Sequence, residues 1–309
     1  MKISILLPYK ENFSPTYPGA VSLFIKDTSK ISKFKKSIII FGNTKYDKKF
    51  KIKYFNLKLE KETLKSHSKS YVKEFIKVEK NDPSSIIEIH NRPIYLKYIY
   101  TEIYNPKFIL YFHNDPLTMI GSKTVKDRKF LLDVCSKIIF NSNWSKKRFL
   151  QGMGTTYINS DKLLVIYQSA TKKKININNK KKWITFVGKL NTSKGYDLFG
   201  KAIINILNKY KDWKAIVIGD EQRAKISFYH KNFKILGFQP HDKVLDILKK
   251  TNIAIACSRW NEPLGRTSIE ASSNGCAVII SNKGGLPETI TDAIILENLD
   301  EKTLYKRTK

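Results

Sequence analysis

The stretch IAIACSRWNEPLGRTSIEASSNGCAVIIS (253–281) has the pattern of a strand, a loop, a helix and a second strand. Its two ends are short, continuous runs of Ile, Val and Ala, which are typical of strands buried on both faces of a sheet. A helix between two such strands is the crossover that joins parallel neighbours. The stretch therefore predicts one unit of a parallel sheet covered by helices.

The same alternation of apolar run and helical pattern extends along the rest of the chain, so we predict α/β architecture throughout. The other apolar runs lie at 3–8, 37–41, 84–89, 107–112, 137–140, 163–167, 183–187, 213–218 and 233–236, and helical patterns lie at 94–104, 194–210, 241–250 and 264–274.

Two domains are expected. A length of 309 residues suggests two, at roughly 150 residues per domain. The segment TKKKININNKKK (171–182) has six Lys and no acidic residue, so its self-repulsion and low apolarity predict a linker. We therefore expect doubly wound, Rossmann-like domains at 1–170 and 183–309, facing a cleft. Such sheets bind ligands beyond the carboxyl ends of their strands, which places the expected active site in that cleft.

The charge of the chain is strongly positive. There are 57 Lys and Arg against 27 Asp and Glu, giving +30 and a pI near 9.8. Only seven of the basic residues are Arg, the residue whose planar fork reads bases and phosphates, and no nucleic-acid-binding motif is present. Specific nucleic-acid binding is thus disfavoured. The lysines predict either solvated faces or attraction to an anionic membrane surface.

The expected cellular compartment is inferred from three features: the cysteines, the length of the apolar runs and the N-terminal segment. Three Cys in or beside apolar runs do not form a disulfide framework and are expected to be buried thiols. No run approaches the roughly 18 apolar residues of a membrane span. The run 3–8 is too short for the core of a signal peptide. We expect a cytoplasmic protein, and attraction of its lysines to the inner face of the cytoplasmic membrane stays the alternative to solvated faces.

The loop and helix of the opening stretch carry the chemistry. Glu262 lies in the predicted loop, Gly265 suits a tight turn, and Arg266 and Thr267 would begin a helix that carries Glu270. The free N–H groups at a helix N-terminus can hold a phosphate. One carboxylate would then accept from ribose hydroxyls and the other from a second hydroxylated group. The alternative is a capping loop with Glu270 on a solvated face.

In EPLGRTSIEA seven residues separate Glu262 from Glu270. This segment resembles the E-x7-E motif of the retaining glycosyltransferases of family 4, which have the GT-B fold. FVGKLNTSKGYDLF (186–199) is similar to the family's strand, loop and helix around the donor diphosphate. The segments IGD (218–220), LGF (236–238) and SNKGGLPE (281–288) resemble further strand ends of its second domain.

The first half resembles the family more loosely. IIEIHNRP (86–93) and LYFHNDP (110–116) look like strand ends of bacterial members that build surface polysaccharides. FNSNWSKKRF (140–149) looks like the segment before the domain crossover. PGAVS (18–22) lies where the family has a Gly-rich loop.

The resemblance implies a role for each matching residue. A nucleotide-sugar donor would bind mainly to the second domain, with Glu270 on its ribose and Glu262 on the hydroxyls and reacting face of its sugar. His113 would lie beside the donor sugar as a second catalytic residue, and Gly19 and Asn114 would lie on the acceptor side. The donor diphosphate would be held by Gly188, Lys189, Lys194, Gly265, Arg266 and Thr267.

The resemblance also implies that no metal or cofactor is needed, because the Lys pair takes the metal's role; the sequence contains no Asp-x-Asp. Three features depart from the family pattern. Lys189 replaces the usual Arg, the Gly-rich loop has only Gly19, and VIYQSATK (165–172) lacks the usual Asn-Gly. The chain also ends soon after Glu288, so we expect the family's last crossover helix to be missing.

The leading hypothesis is a retaining, metal-independent glycosyltransferase of hexosyltransferase type. It would move a sugar from a nucleotide-diphosphate donor to a saccharide or lipid-linked acceptor in cell-surface polysaccharide synthesis. One alternative is a nucleotide-sugar 2-epimerase. Another is a truncated, non-catalytic GT-B subunit that binds nucleotide-sugar. A glycosidase would also use two carboxylates, but it would leave the Lys pair unexplained.

The remaining His and Trp residues receive simpler interpretations. His90 is expected to be a hydrogen-bonded structural residue, because it ends an apolar run. His67, His230 and His241 have no partner at metal-ligand spacing and are expected on the surface. Trp260 lies in the expected donor loop, where it would either anchor the loop or contact substrate.

Overall fold

A computed structural model describes residues 1–59, 67–171, 174–221 and 226–309. The chain forms two compact units, Met1–Tyr167 and Gln168–Lys309. Each unit contains one sheet whose neighbouring strands all run parallel. Helices connect most of the consecutive strands, as the alternation in the sequence predicts.

The first unit has a seven-stranded sheet in the order β3-β2-β1-β4-β5-β6-β7. Its order changes direction between β1 and β4, the position where doubly wound sheets bind ligands. The strands are β1 (Ile3–Leu6), β2 (Ile38–Gly42), β3 (Tyr54–Asn56), β4 (Ile86–His90), β5 (Lys107–Phe112), β6 (Cys135–Phe140) and β7 (Leu163–Val165), and the helices are α1 (Ala20–Ile31), α2 (His67–Asn81), α3 (Ile94–Ile99), α4 (Val125–Val134) and α5 (Asn143–Leu150).

Two apolar cores cover the two faces of this sheet. Successive side chains of a strand point to opposite faces, and in β1 Ile5 packs with α1 whereas Leu6 packs with α2 and α3. Every residue of β1 is buried. Burial on both faces is why these strands have continuous rather than alternating apolar runs.

The second unit has a six-stranded sheet in the order β10-β9-β8-β11-β12-β13. Here the change of direction lies between β8 and β11. The strands are β8 (Lys181–Val187), β9 (Lys214–Ile218), β10 (Phe233–Ile235), β11 (Thr251–Ala256), β12 (Ala277–Ser281) and β13 (Ile294–Leu296), and the helices are α6 (Tyr196–Lys209), α7 (His241–Lys250), α8 (Arg266–Ser273) and α9 (Glu301–Thr308).

Helices again cover both faces. The core that contains Phe186 of β8 includes residues of α6 and α9. The opposite core contains Ile218 of β9 and residues of α7 and α8. The two units therefore share one architecture, and in both the loops that follow the central strands meet at the switch point.

Some elements differ from the sequence-based expectation. The edge strands β3 and β13 are three residues each and partly exposed, and neither was among the predicted strands. The helix predicted at 94–104 ends at Ile99. The three Cys are buried free thiols, as expected. No helix among the described residues has both the length and the apolarity that crossing a membrane would require.

The Lys-rich segment 171–182 is partly built into the second unit. Residues 172 and 173 lie outside the described ranges, but β8 already begins at Lys181. The ammonium group of Lys180 donates to the carbonyl oxygens of Leu248 (3.1 Å), Thr251 (2.7 Å) and Asn274 (2.6 Å). Burial lowers the pKa of Lys180. Lys180 lies in the segment whose charge predicted a linker. Its ammonium group nevertheless binds carbonyl groups at the C-terminal ends of α7 and α8.

Gly195 provides a test of how tightly the β8 and β11 loops pack. It has a left-handed backbone (φ 75°), and a Cβ there would lie 2.0 Å from the carbonyl oxygen of Cys257. Gly237 is also left-handed (φ 65°), but a Cβ there would meet nothing within 4 Å. Gly237→Ala should cost about 1 kcal/mol of unfolding free energy for backbone strain alone. Gly195→Ala should cost about 3 kcal/mol or more, because a steric clash is added.

Urea unfolding of both variants, followed by circular dichroism, measures the two costs. Equal losses would contradict the close approach of Gly195 to Cys257.

Candidate functional site

The loop after β8 is held in shape by one asparagine. The side-chain oxygen of Asn191 accepts from the backbone N–H of Lys194 (3.0 Å) and from the hydroxyl of Ser193 (2.8 Å). Such side-chain to backbone bonds fix a turn without regular secondary structure. The turn ends at Gly195, where α6 begins. The position of Lys194 is therefore set by the chain on both sides of it.

The loops after β8 and β11 are joined to each other. The carbonyl oxygen of Ser193 accepts from the backbone N–H groups of Arg259 (2.9 Å) and Trp260 (3.0 Å) and from the hydroxyl of Ser258 (3.0 Å). The side chain of Arg259 pairs with Asp197 in the first turn of α6 (2.6 Å). The two loops at the switch point thus form one connected surface.

Lys194 and Glu262 meet on this surface. The Lys194 Nζ atom lies 2.5 Å from the Glu262 Oε1 atom, and their side chains are 33% and 14% exposed. The main chain of Glu262 is held from a third loop, because Gly285 donates its N–H to the Glu262 carbonyl oxygen (2.6 Å). Gly284 is left-handed, and a Cβ there would lie 2.2 Å from the same oxygen. The site thus needs a residue without a side chain at position 284.

Glu270 is held by two cationic or hydrogen-bonding neighbours. Its Oε1 atom lies 2.7 Å from the Nε atom of Arg266, one turn earlier in α8, and 2.9 Å from Nε2 of His241. Burial by itself would raise the pKa of Glu270, but the bonds and charges of His241 and Arg266 outweigh it and lower the pKa below its ordinary value. Glu270 is therefore an ionised carboxylate at neutral pH.

The N-terminus of α8 has two unusual features. Gly265, which precedes the helix, is left-handed (φ 106°), and a Cβ there would lie 2.4 Å from a methyl carbon of Leu286. Ser268, in the first turn, is buried and its hydroxyl has no hydrogen-bond partner among the described residues. Buried polar atoms are nearly always paired, so a polar ligand at the start of α8 would supply the partner that this hydroxyl lacks.

The predicted residues of the second unit therefore fall at two places. Lys194 and Glu262 touch each other, and Glu270 lies in α8 behind the turn formed by Gly265 and Arg266. The alternative of a solvated Glu270 is wrong, because its side chain is 8% exposed. Lys189 is exposed and follows Gly188 at the end of β8, and Thr267 is half-buried in the first turn of α8. Trp260 is 47% exposed.

His241 is the residue that the sequence reasoning missed. A surface position was expected, but the side chain is 20% exposed and bound to Glu270. Nothing local signals this, because His241 lies 29 residues before Glu270 along the chain. Of the other two, His67 is exposed as expected, whereas His230 is half-buried and accepts from the backbone N–H of Asn232 (3.1 Å).

In the first unit, His113 follows β5 and its surroundings fix it closely. Its ring nitrogen Nε2 lies 2.8 Å from Nδ1 of His90, at the end of β4. The side-chain oxygen of Asn91 accepts from the backbone N–H groups of His113 (3.2 Å) and Asn114 (3.1 Å). Asn91 itself is left-handed (φ 57°), and such backbone strain in a non-Gly residue concentrates at functional sites.

Gly19 precedes α1 on the same edge of the sheet. A Cβ there would lie 2.1 Å from a carboxylate oxygen of Glu11, and that oxygen accepts from the N–H of Ser22 (2.9 Å). A side chain at position 19 would therefore displace the Glu11 carboxylate from the start of α1. Among the described residues, no group of three or more His, Cys, Asp or Glu is arranged to hold a metal ion.

Part of the chain matches a known protein family. Residues 168–304 match the family model described as glycosyl transferases group 1. Spore coat protein SA of Bacillus subtilis is 30% identical over 125 residues, which are 36% of this chain and 33% of that protein. The lipopolysaccharide core biosynthesis mannosyltransferase LpsB of Rhizobium meliloti is 27% identical over 134 residues, 40% of this chain and 38% of that one. The chain thus spans about a third of the length of such relatives.

Solved structures match nearly the whole chain. The structure of Anabaena Alr3699/HepE in complex with UDP and glucose has a TM-score of 0.73 at 17% identity, covering 99% of this chain and 88% of that one. WaaG, a glycosyltransferase involved in lipopolysaccharide biosynthesis, has a TM-score of 0.66 at 11% identity, covering 98% and 88%. The fold is GT-B. The predicted fold class is therefore confirmed.

The pKa of Glu270 predicts a specific pH dependence of stability. A carboxyl whose pKa is lowered by folding stabilises the protein above its unfolded pKa, here 4.5, and this contribution is lost as the pH falls through the folded value. Glu270→Gln removes the contribution. The difference in unfolding free energy between native chain and variant should thus be largest at neutral pH and shrink below about pH 4.5.

Urea unfolding between pH 3 and 7 measures this difference. His241→Ala removes the largest of the lowering interactions, so it should weaken the pH dependence without abolishing it. A difference that stays constant across the range would contradict the assigned pKa shift.

Proposed function

We propose that this chain is a glycosyltransferase that uses a nucleotide-diphosphate sugar as its donor. The observation that carries the proposal is the Lys194–Glu262 pair at the switch point of the second sheet, beside the N-terminus of α8. A cation, a carboxylate and the N–H groups of a helix N-terminus suit the phosphates and hydroxyl groups of a nucleotide-sugar. The family match over residues 168–304 supports the same function.

The donor diphosphate is proposed to lie at the start of α8. Backbone N–H groups of Gly265, Arg266 and Thr267 and the hydroxyl of Ser268 would donate to its oxygens. Lys189 and Lys194 would neutralise its charge. As the bond to the sugar breaks, negative charge grows on the leaving diphosphate, and dipoles and cations fixed in advance stabilise it without reorganisation.

The Lys194–Glu262 pair is proposed to exchange partners when the donor binds. A phosphate oxygen would replace Glu262 at the ammonium group of Lys194. The Glu262 carboxylate would then accept from the sugar hydroxyls, held there by its main-chain contacts to Gly284 and Gly285. Both groups are partly buried, and a buried charge without a partner is costly. The exchange avoids this cost, because Lys194 keeps a negatively charged partner and Glu262 keeps hydrogen-bond donors.

The ribose of the donor is proposed to bind to Glu270. An ionised carboxylate only accepts hydrogen bonds, and a ribose diol offers two hydroxyl donors. His241 and Arg266 hold this carboxylate in place through its Oε1 atom.

The finer features of the reaction are also proposals. We propose that transfer retains the configuration of the sugar and needs no metal, as in the family 4 enzymes that the motifs resemble. The acceptor would be a saccharide or lipid-linked sugar of a cell-surface polysaccharide; the named role of the Rhizobium relative supports this choice. The Anabaena protein has been solved with UDP-glucose, which makes a uridine donor the first to test.

The net charge of +30 would favour contact with the anionic inner face of the cytoplasmic membrane.

Donor binding can be tested by thermal shift with UDP-, GDP- and ADP-sugars and the free diphosphates, with and without EDTA. A ligand at 100 times its Kd adds about 2.7 kcal/mol to native stability, so one nucleotide should raise the Tm clearly. Lys194→Ala should abolish the shift. Lys182→Ala is the matched control, because Lys182 also forms a 2.5 Å pair, with Asp212, but is 59% exposed.

A shift that survives Lys194→Ala would place the donor elsewhere. The absence of any shift in the native chain would contradict nucleotide binding.

Transfer can be tested with the selected donor and lipid-linked or free oligosaccharide acceptors. Glu262→Gln keeps the size of the side chain but removes its charge, and it should lower kcat/KM by about 100-fold or more. NMR of the product should show the anomeric configuration of the donor, and EDTA should leave the rate unchanged. A fully active Glu262→Gln variant would refute the site. Donor binding without transfer or hydrolysis would favour the non-catalytic subunit.

A further inference from the structure

The two oxygens of the Glu270 carboxylate have different surroundings. Nε2 of His241 and Nε of Arg266 both lie within hydrogen-bond distance of Oε1, at 2.9 Å and 2.7 Å. A carboxylate has about two lone pairs on each oxygen, so these two bonds use the capacity of Oε1. No described residue donates a hydrogen bond to Oε2. One oxygen is therefore bound by the protein, and the other can still accept.

The Oε2 atom is a suitable acceptor for a ligand. The Glu270 side chain is 8% exposed, and a charged oxygen that is buried without donors is costly. The hydroxyl of Ser268 is both enclosed and unpaired, whereas Oε2 is not fully enclosed. A ligand hydroxyl can therefore reach Oε2 and supply the donor that the surrounding side chains do not.

The main chain fixes the position of His241. It is the first residue of α7, and Pro240 before it has a φ of −54°, which the proline ring restricts. The preceding loop is tied to the end of β9, because Gly219 donates its N–H to the carbonyl oxygen of Gly237 (2.9 Å). The start of α7 therefore has little freedom to move away from its neighbours.

The helices α7 and α8 are joined at two places. Near their C-terminal ends, the ammonium group of Lys180 binds the carbonyl oxygens of Leu248 and Asn274. Nearer their N-terminal ends, the side chain of His241 contacts Glu270. The contact between the imidazole and the carboxylate thus belongs to the packing of the two helices.

The direction of this hydrogen bond follows from the charge of Glu270. An ionised carboxylate only accepts, so Nε2 of His241 donates to it. Arg266 lies on the same helix as Glu270, one turn earlier, whereas His241 approaches from another helix. A carboxylate held by Arg266 alone could turn about its last bond and exchange its oxygens. Two donors from different helices prevent this rotation.

We infer that His241 is a positioning residue, which orients the Glu270 carboxylate so that Oε2 alone accepts from the 2′- and 3′-hydroxyl groups of the donor ribose. This inference rests on the proposed function, which assigns Glu270 to the ribose. Two neighbouring hydroxyl groups match the two lone pairs of one oxygen. Acting through Glu270, His241 thereby makes the site select ribonucleoside over deoxyribonucleoside diphosphates.

Isothermal titration calorimetry with UDP, 2′-deoxy-UDP and 3′-deoxy-UDP tests this selection, or the matching set for the base that the thermal shift selects. The measured quantity is the discrimination ratio, the Kd of a deoxy form divided by the Kd of the ribonucleotide. In the native chain each ratio should be about ten or more, because each lost hydrogen bond goes to a charged group. In His241→Ala the ratios should fall to about three or less, because the acceptor is no longer held in advance.

Two further variants identify the cause. His241→Asn has a side-chain amide that can donate to Oε1, so it should recover most of the native ratio. In a chain that already carries Glu270→Gln, adding His241→Ala should leave the ratio unchanged, because the two residues act as one unit. General loss of structure would weaken all three nucleotides together and would not move the ratio.

His230→Ala is the matched control. His230 lies in the same unit, and its ring accepts from the backbone N–H of Asn232 (3.1 Å). This variant should keep the native Kd values for all three nucleotides.

The outcomes separate this inference from the proposed function. Native ratios in His241→Ala would overturn the role of His241, while donor binding stands. Ratios near one in the native chain would overturn the assignment of Oε2 to the ribose, again with nucleotide binding intact. Failure of His241→Asn to recover the ratio would overturn the assigned hydrogen bond. A native chain that binds none of the nucleotides would refute the proposed function, and this inference with it.

Discussion

Where neighbouring parallel strands lead to helices on opposite faces of a sheet, the loops that follow them separate and leave a crevice. Each unit has such a switch point. In the second unit this place lies between β8 and β11, and the loops that follow them carry Lys194 and Glu262. The backbone of Ser193 joins those loops through three hydrogen bonds. The candidate site is therefore a consequence of strand order, made rigid by main-chain contacts rather than by its charged side chains.

Three glycines allow the loops of the candidate site to pack closely against one another. Gly195, Gly265 and Gly284 all have left-handed backbones, and at each of them a Cβ would collide with a neighbouring loop. Their lack of a side chain lets three loops approach one another around the N-terminus of α8. The charged pair can then form at short range, because the backbone has already been brought together.

The same edge of the first sheet presents the opposite chemical character. There the strand ends carry His90 and His113 with Glu88 behind them, and aromatic rings fill the space around the imidazoles. One unit thus offers cations and helix N–H groups suited to a diphosphate. The other offers two imidazole rings packed among aromatic side chains.

The fold was largely predictable from the chain because its strands are buried on both faces. Burial requires continuous runs such as those of β1 and β12, and these are visible without a structure. The edge strands β3 and β13 are only three residues long, and so short a stretch is a weaker signal than those runs. The charge of the segment at 171–182 suggested a linker, but three carbonyl groups distant in sequence hold Lys180 in the second unit.

For the site, the sequence by itself determined which residue types are present and their spacing: Glu262, Glu270, Lys194 and the glycines around them. It also determined the α/β class, because hydrophobic periodicity is a local property. Only the tertiary structure decided the partners. That Lys194 meets Glu262, that His241 holds Glu270, and that His90 lies between Glu88 and His113 depend on packing between elements far apart in the chain. Hydrogen bonds act over about 3 Å, and no spacing in a sequence specifies which distant atoms will come that close.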